Sequence, residues 1–280
     1  MTTVNGQRHT RRGIEMLREL YKNGKRLFTS GDARKVAPSC GMTAAYVTEA
    51  LYHLTNDGWI IRYKNGLFGI APSFPGMTPI HEFEIAMARI SPAAISHWSA
   101  LHFHGMTEQI PRTVFITTVR EQEKKNGKNI QNRSHTEKIN GVKYSIFAVK
   151  EERFFGTKKY WVGETRVNIT DPERTLIDGL ITPKYFGGWA EVYTAFINRF
   201  PDISLDRIIE YALQLDGAVA KRLGWILARQ KVDDTILQPL IDLPINGYRI
   251  LDPHGPRKGH CDKKWHIQIN LPGEVASWNS

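Results

Sequence analysis

The sequence is short of cysteine, of long apolar runs and of acidic residues, and each shortage excludes something. Only Cys40 and Cys261 occur, which excludes a disulfide framework and a four-cysteine zinc site and makes the reducing cytoplasm the expected location. No stretch approaches the roughly 20 consecutive apolar residues that a membrane-spanning helix needs. The opening MTTVNGQRHTRR lacks the apolar core of a signal peptide, so no membrane partner is expected. Asp and Glu total 28 against 38 Lys and Arg, a net charge of +10 over 280 residues. A surface so biased attracts polyanions before any contact is made. Catalytic grammar is missing as well: there is no GxxxxGK[ST] phosphate loop and no GxSxG nucleophile elbow. Neither cysteine has a recognisable nucleophile setting, since Cys40 falls between expected helices and Cys261 in a polar loop.

What is present begins with the first 75 residues, which hold 11 Lys/Arg and 5 Asp/Glu and so carry +6 of the net charge. Ile14, Leu17 and Leu20 fall at helical spacing within Thr10 to Asn23, with Tyr21 on the same face and Gly24 as terminator. Leu27 and Phe28 form a short extended run. Ser30 is the expected cap of a second helix reaching Ala37, with Pro38 just past its end. Thr43 is the expected cap of a third, running to Asn56, with Val47, Leu51 and Leu54 on its buried face. Trp59 to Tyr63 and Leu67 to Ile70 then read as strands joined through Lys64, Asn65 and Gly66. An Asn-Gly pair between apolar runs is a hairpin signal, because both turn residues must tolerate positive φ.

Three helices followed by a hairpin is the order of a winged helix-turn-helix. Such a third helix fits the DNA major groove, where base edges display a distinct donor and acceptor pattern. The expected base-facing set is Thr43, Ala44, Ala45, Thr48, Glu49 and Tyr52, small and hydroxyl-bearing rather than rich in Arg. The wing tip, Arg62, Tyr63, Lys64 and Asn65, can reach the backbone or a minor groove. Phosphate contacts fall to Arg8, Arg11, Arg12, Arg34, Lys35, Arg62 and Lys64. Two bland readings stand beside this one: winged helices also serve as protein-interaction modules, and a charge run is often only a solvated face.

Ala71 to Pro79, APSFPGMTP, is rich in Pro and Gly and reads as a boundary. The expected organisation is therefore α+β, a winged helix-turn-helix domain over 1–75 followed by a larger mixed α/β domain over 80–280. In the latter, Ile80 to Ile90 reads as an amphipathic helix and Ser96 as the cap of a helix reaching His104. Thr113 to Val119, Val142 to Val149 and Tyr160 to Ile169 read as strands. The polar, basic stretch between the first two reads as a mobile loop or an extended hairpin tip. Asp171-Pro172-Glu173 opens another helix. Trp189 to Phe200, Leu205 to Leu215 and Ala218 to Gln230 are helical, and Tyr248 to Leu251 and Trp265 to Leu271 return to strand. The regular alternation of a parallel doubly wound sheet is missing.

Two clusters invite a chemical reading. His97, His102 and His104 are spaced i+5 and i+2, neither of which stacks a pair on one helical face as i+4 does. Packed or hydrogen-bonded histidines are the expected state, and no metal or other cofactor is expected. Glu164, Asp171, Glu173 and Asp178, with Lys158 and Lys159 upstream, are the residues a metal-dependent nuclease would draw on, but they form no evident metal motif. A nuclease whose winged helix delivers substrate is the alternative function.

The string ISHWSALHFHGMTEQIP, followed by TVFIT, resembles the signature of the AbiEi family of antitoxins and transcriptional regulators. VNITDPERTLIDGL, Val167 to Leu180, is similar to a second recurrent stretch of that family. The likeness covers most of the chain and rests on scaffold-like rather than catalytic strings. It implies a two-gene toxin-antitoxin system associated with phage defence. In such systems the N-terminal domain binds inverted repeats in the operon's own promoter and represses it. The larger domain confers protection against a nucleotidyltransferase-like toxin, without stable direct binding. The resemblance carries no catalytic residues, so a non-enzymatic protein is expected, with promoter DNA and the toxin as partners.

Overall fold

The computed structural model describes residues 3–120, 122–125, 128–131 and 134–271, with side-chain surroundings for 11–120 and 134–271. The fold is mixed α and β and divides into two compact units. The first comprises Met1–Ser91 with the segments Glu137–Lys143 and Trp161–Thr165; the second comprises Pro92–Thr136, Tyr144–Tyr160 and Arg166–Ser280. Among the described residues no helix is long and apolar enough to cross a membrane.

The first unit runs α1 (Thr3–Lys22), β1 (Leu27–Thr29), α2 (Ser30–Val36), α3 (Val47–Asn56), β2 (Ile60–Lys64), β3 (Leu67–Ile70) and α4 (Glu82–Arg89). The three strands form an antiparallel sheet in the order β1-β3-β2. Apolar residues three and four apart put Met16, Leu17 and Leu20 of α1 and Val47, Leu51 and Leu54 of α3 into one core with Phe28, Ala33, Phe68 and Ile70. The Phe28 and Phe68 rings stack across β1 and β3 at 5.9 Å.

Local signals moved by a residue or a turn. The cap of α2 is Thr29, not Ser30. Its hydroxyl accepts from the Asp32 amide while the Asp32 carboxylate accepts from the Thr29 amide, a reciprocal box worth about 1 kcal/mol. Thr43 does not cap α3. Its carbonyl accepts from Tyr46 N at 3.0 Å, closing a separate turn, and the helix begins at Val47 without a side-chain cap. In the turn between β2 and β3 only Gly66 has positive φ, at 77°; Asn65 does not. The register of β2 slips between Arg62 and Lys64, and this bulge supplies the twist that a turn with two positive φ values would otherwise provide. An Asn-Gly dipeptide that does adopt two positive φ values is Asn140-Gly141, at 45° and 85°.

Most residues of a six-stranded mixed sheet belong to the second unit. The strands of this sheet are β4 (Ala93–Ile95), β5 (Thr113–Val119), β8 (His135–Ile139), β9 (Val142–Val149), β10 (Thr157–Val162) and β11 (Thr165–Thr170), in the order β10-β11-β4-β5-β9-β8. β4 is antiparallel to β5 and parallel to β11. The single strand expected over Tyr160 to Ile169 is two, because Gly163 turns the chain at φ 57°. Between β5 and β8, β6 (Gln122–Lys125) and β7 (Lys128–Gln131) pair as an antiparallel ribbon.

Helices α5 (His97–Phe103), α6 (Pro172–Ile181), α7 (Trp189–Arg199), α8 (Leu205–Leu215), α9 (Gly217–Arg229) and α10 (Asp234–Asp242) complete the unit, with β12 (Arg249–Ile250), β14 (Ile267–Gln268) and β13 (Cys261–Asp262) as a small sheet. Within Trp265 to Leu271 only Ile267–Gln268 pairs as strand. Every residue of α6 from Glu173 to Leu180 is buried, so this helix is wrapped on all sides. Two buried cations close helix ends. Lys221 Nζ donates to the carbonyls of Leu240 and Ile241 at the end of α10, and Arg222 Nη1 to that of Leu180 at the end of α6. Both satisfy carbonyls left over at a helix C-terminus and sit at the negative end of its dipole.

Candidate nucleic-acid interface

The pattern that buries Val47, Ala50, Leu51 and Leu54 leaves Thr48, Glu49, Tyr52 and His53 on the other side of α3, all exposed. Thr43, Ala44 and Ala45, in the turn before it, are exposed too. The outward surface of α3 is thus small or hydroxyl-bearing, with the Tyr52 ring 64% exposed at its centre. One charge pair lies on it: Glu49 Oε1 is 3.8 Å from His53 Nε2, one turn on.

The flanking cations fall into two groups. Arg11, Arg12, Arg34 and Lys35 are exposed on α1 and α2, Arg11 in a loose 3.5 Å pair with Glu15. Surface pairs of this kind are worth little and are readily exchanged for a phosphate. The side chain of Arg8 lies outside the described residues. At the hairpin, Arg62 is exposed and donates from Nη2 to Asn65 Oδ1 at 2.7 Å, which orients the guanidinium along the turn. Lys64 is engaged instead: its ammonium pairs with Glu137, which Arg89 also approaches at 3.9 Å.

Tyr63 departs furthest from the expected set. It is half-buried against Gly69, where a Cβ would lie 2.7 Å from Tyr63 Cε2. Its hydroxyl is pushed above the usual phenol range, chiefly by burial and further by the Glu84 carboxylate. Tyr63 packs against Gly69 beside the bulge, with part of its side chain accessible.

The carboxylates of the alternative reading are spread over separate roles. Asp171 caps α6, accepting from Arg174 N at 2.8 Å, and accepts from the Tyr211 hydroxyl at 2.8 Å. Burial raises its pKa despite these donors. Glu173 accepts from Ser204 N and Arg207 Nη1, Asp178 from Arg174, and Glu164 pairs with Arg26 at 3.3 Å. Lys158 stands 5.9 Å over the Tyr160 ring, and Lys159 is exposed. Among the described residues no three of His, Cys, Asp and Glu come together as a metal-ligand group.

The histidines also diverge. His97 Nδ1 lies 2.8 Å from the Ser96 hydroxyl and its ring stacks on Phe147 at 4.3 Å, while His104 Nε2 bonds the Thr170 carbonyl at 2.7 Å. Ser96 precedes α5 without capping it, because its hydroxyl is engaged by His97 and Thr117. Burial lowers the pKa of both imidazoles, that of His97 to about 4.

No family model matches the chain, and no curated protein does. A solved structure does. The chain is similar to the RV2827C protein from Mycobacterium tuberculosis, with a TM-score of 0.64 and 14% identity over 90% of this chain and 88% of that one. The likeness spans both units and is one of fold.

Two residues of the α3 surroundings escaped the sequence reading. His53 is signalled by its i+4 spacing from Glu49, and Arg18 by its position about two helical turns beyond the exposed Arg11 and Arg12. Neither carries a motif, so only the burial pattern of the helices brings them forward.

Proposed function

We propose that this chain is a DNA-binding regulator, its first unit a winged helix-turn-helix with α3 as the recognition helix. The observation that carries the reading is the exposed outward side of α3 from Thr43 to His53, free of bulky charge except for the Glu49–His53 pair. A surface of that kind can approach base edges closely, while Arg11, Arg12, Arg34, Lys35 and Arg62 release counterions from the duplex. With the resemblance to AbiEi antitoxins, the function proposed is autorepression at inverted repeats in the chain's own promoter, together with protection against a nucleotidyltransferase-like toxin through the second unit. The role is binding rather than catalysis. What supports this is that Glu164, Asp171, Glu173 and Asp178 each serve an arginine, a helix cap or a backbone amide.

The test is a gel-shift titration of the full chain on its native upstream DNA across a salt series. Tight, steeply salt-dependent binding that falls with Arg62→Ala supports the reading. Binding no tighter than to random duplex refutes it. Co-expression with the neighbouring toxin gene, scored by growth, tests protection. Hydrolysis of DNA or RNA on adding divalent metal, lost with Asp171→Asn, would instead favour the nuclease.

A further inference from the structure

A cavity in the second unit, of about 240 Å³, is lined by Arg222, Tyr248, Arg249, Ile250, Pro253 and Arg257. Three arginines line it and no acidic residue does. Arg222 is 7% exposed and held rigidly: Nε donates to the Ile250 carbonyl at 3.1 Å and Nη1 to that of Leu180 at 3.2 Å. Among the described residues its Nη2 has no hydrogen-bond partner, and Arg222 is one of the residues that line the cavity. Arg249 and Arg257 are exposed and form no ion pair among the described residues. Asp216 and Asp252 act on Arg222 from a distance without bonding to it. Asp216 caps α9 through Ala218 N and Val219 N, and Asp252 accepts from His254 N. Burial lowers the pKa of Arg222, and Arg249 lowers it further while Asp216 and Asp252 oppose the shift. A buried cation without a paired carboxylate is costly, and a bound anion offsets that cost.

The chemistry of the anion follows from the lining. Arginine forks match phosphoryl oxygens in geometry, and three of them offer more donors than one carboxylate can accept. Tyr248 is 43% exposed, with His266 at 5.7 Å between ring centroids. It offers the aromatic surface on which a nucleobase stacks. The volume, about 240 Å³, admits a phosphate with part of a nucleoside beside it, not a duplex.

We propose that this cavity binds a nucleotide, its phosphate on Arg222, Arg249 and Arg257 and its base against Tyr248. The site is independent of the α3 surface and uses none of its residues.

Isothermal titration of the full chain with AMP, ATP, adenosine and inorganic phosphate tests the proposal. AMP or ATP binding tighter than adenosine, weakened about tenfold or more by Arg249→Ala or Arg257→Ala, is the expected result. Both residues are exposed, so the variants keep the fold. Tyr248→Ala weakens AMP but leaves inorganic phosphate unchanged. A 5′-phosphorylated tetranucleotide, titrated in the Arg62→Ala background to silence the first unit, separates the sources. Tighter binding than ATP identifies the nucleotide of a strand, weaker binding a free nucleotide. Affinity for AMP equal to that for adenosine, or unchanged in both arginine variants, overturns the proposal.

Discussion

Arg26 and Glu84, 58 residues apart in sequence, meet in the interior of the first unit: Nη2 of the arginine lies 3.0 Å from each carboxylate oxygen. Their side chains are 8% and 5% exposed. Arg26 also donates to Thr78, and Glu84 accepts from Thr165 and from the amide of His81 at the start of α4. The pair ties β1 to α4 by charge where the apolar core does not reach.

Removing Arg26 strands the desolvated Glu84, whereas removing Glu84 leaves Arg26 the half-exposed Glu164 at 3.3 Å. Arg26→Met is therefore expected to cost about 3–5 kcal/mol and Glu84→Gln less. The double change to Arg26→Met with Glu84→Leu is expected to cost clearly less than the sum. A double-mutant cycle from urea unfolding of the full chain measures the coupling. Additive costs would contradict the pairing.

The two hairpin cations are expected to behave differently on DNA. Arg62 is available to a phosphate, so Arg62→Ala should lose about 1–2 kcal/mol of binding and reduce the salt slope by about one. Lys64 is neutralised by Glu137, so Lys64→Ala should change little. Glu137→Gln, which releases Lys64, should tighten binding. Thr48→Ala and Tyr52→Ala should alter site preference more than affinity for random duplex. Gel shifts over a salt series and a panel of altered half-sites read all five variants.

Stability should fall in mild acid through His97. Its folded pKa of about 4 lies below the unfolded value of 6.5. Between those limits the unfolded chain takes up a proton that the native imidazole refuses. The His97 contribution is therefore fully present above pH 6.5, is lost as pH drops toward 4, and amounts to something on the order of 3 kcal/mol. Asp171, with its raised pKa, works in the opposite direction. The measurement is thus the difference in pH slope between the native chain and His97→Asn, a residue that tolerates the φ of 52° at this position. Equal slopes would contradict the assignment.

Gly224→Ala inverts the usual helix rule. Alanine in a helix interior normally gains about 1 kcal/mol over glycine. At Gly224 of α9 the added Cβ would overlap the Trp265 ring, which is 2% exposed and has nowhere to move. A loss of about 2–4 kcal/mol is expected, with partial rescue by Trp265→Leu. Thermal unfolding of the single and double variants decides it.

Much of the first unit was legible because its signals are local. The helical spacing in α1 and α3, Gly24 after α1 and the strands either side of Asn65-Gly66 each depend on residues a few positions apart, and so does the exposure of Thr48, Glu49 and Tyr52. What tertiary structure alone decided is which polar groups are free. The spacing of Lys64 and Glu137 says nothing of their meeting, nor that of Arg26 and Glu84, because ion pairs across a fold obey no period. Tyr63 packs against Gly69 beside a bulge that no residue type announces. Arg222, Arg249 and Arg257 share a cavity only because α9, the small sheet and the loop between its strands β12 and β13 close on one another. Short-range sterics and hydrophobic period are written along the chain; the pairing and desolvation of charge exist only once distant segments are packed together.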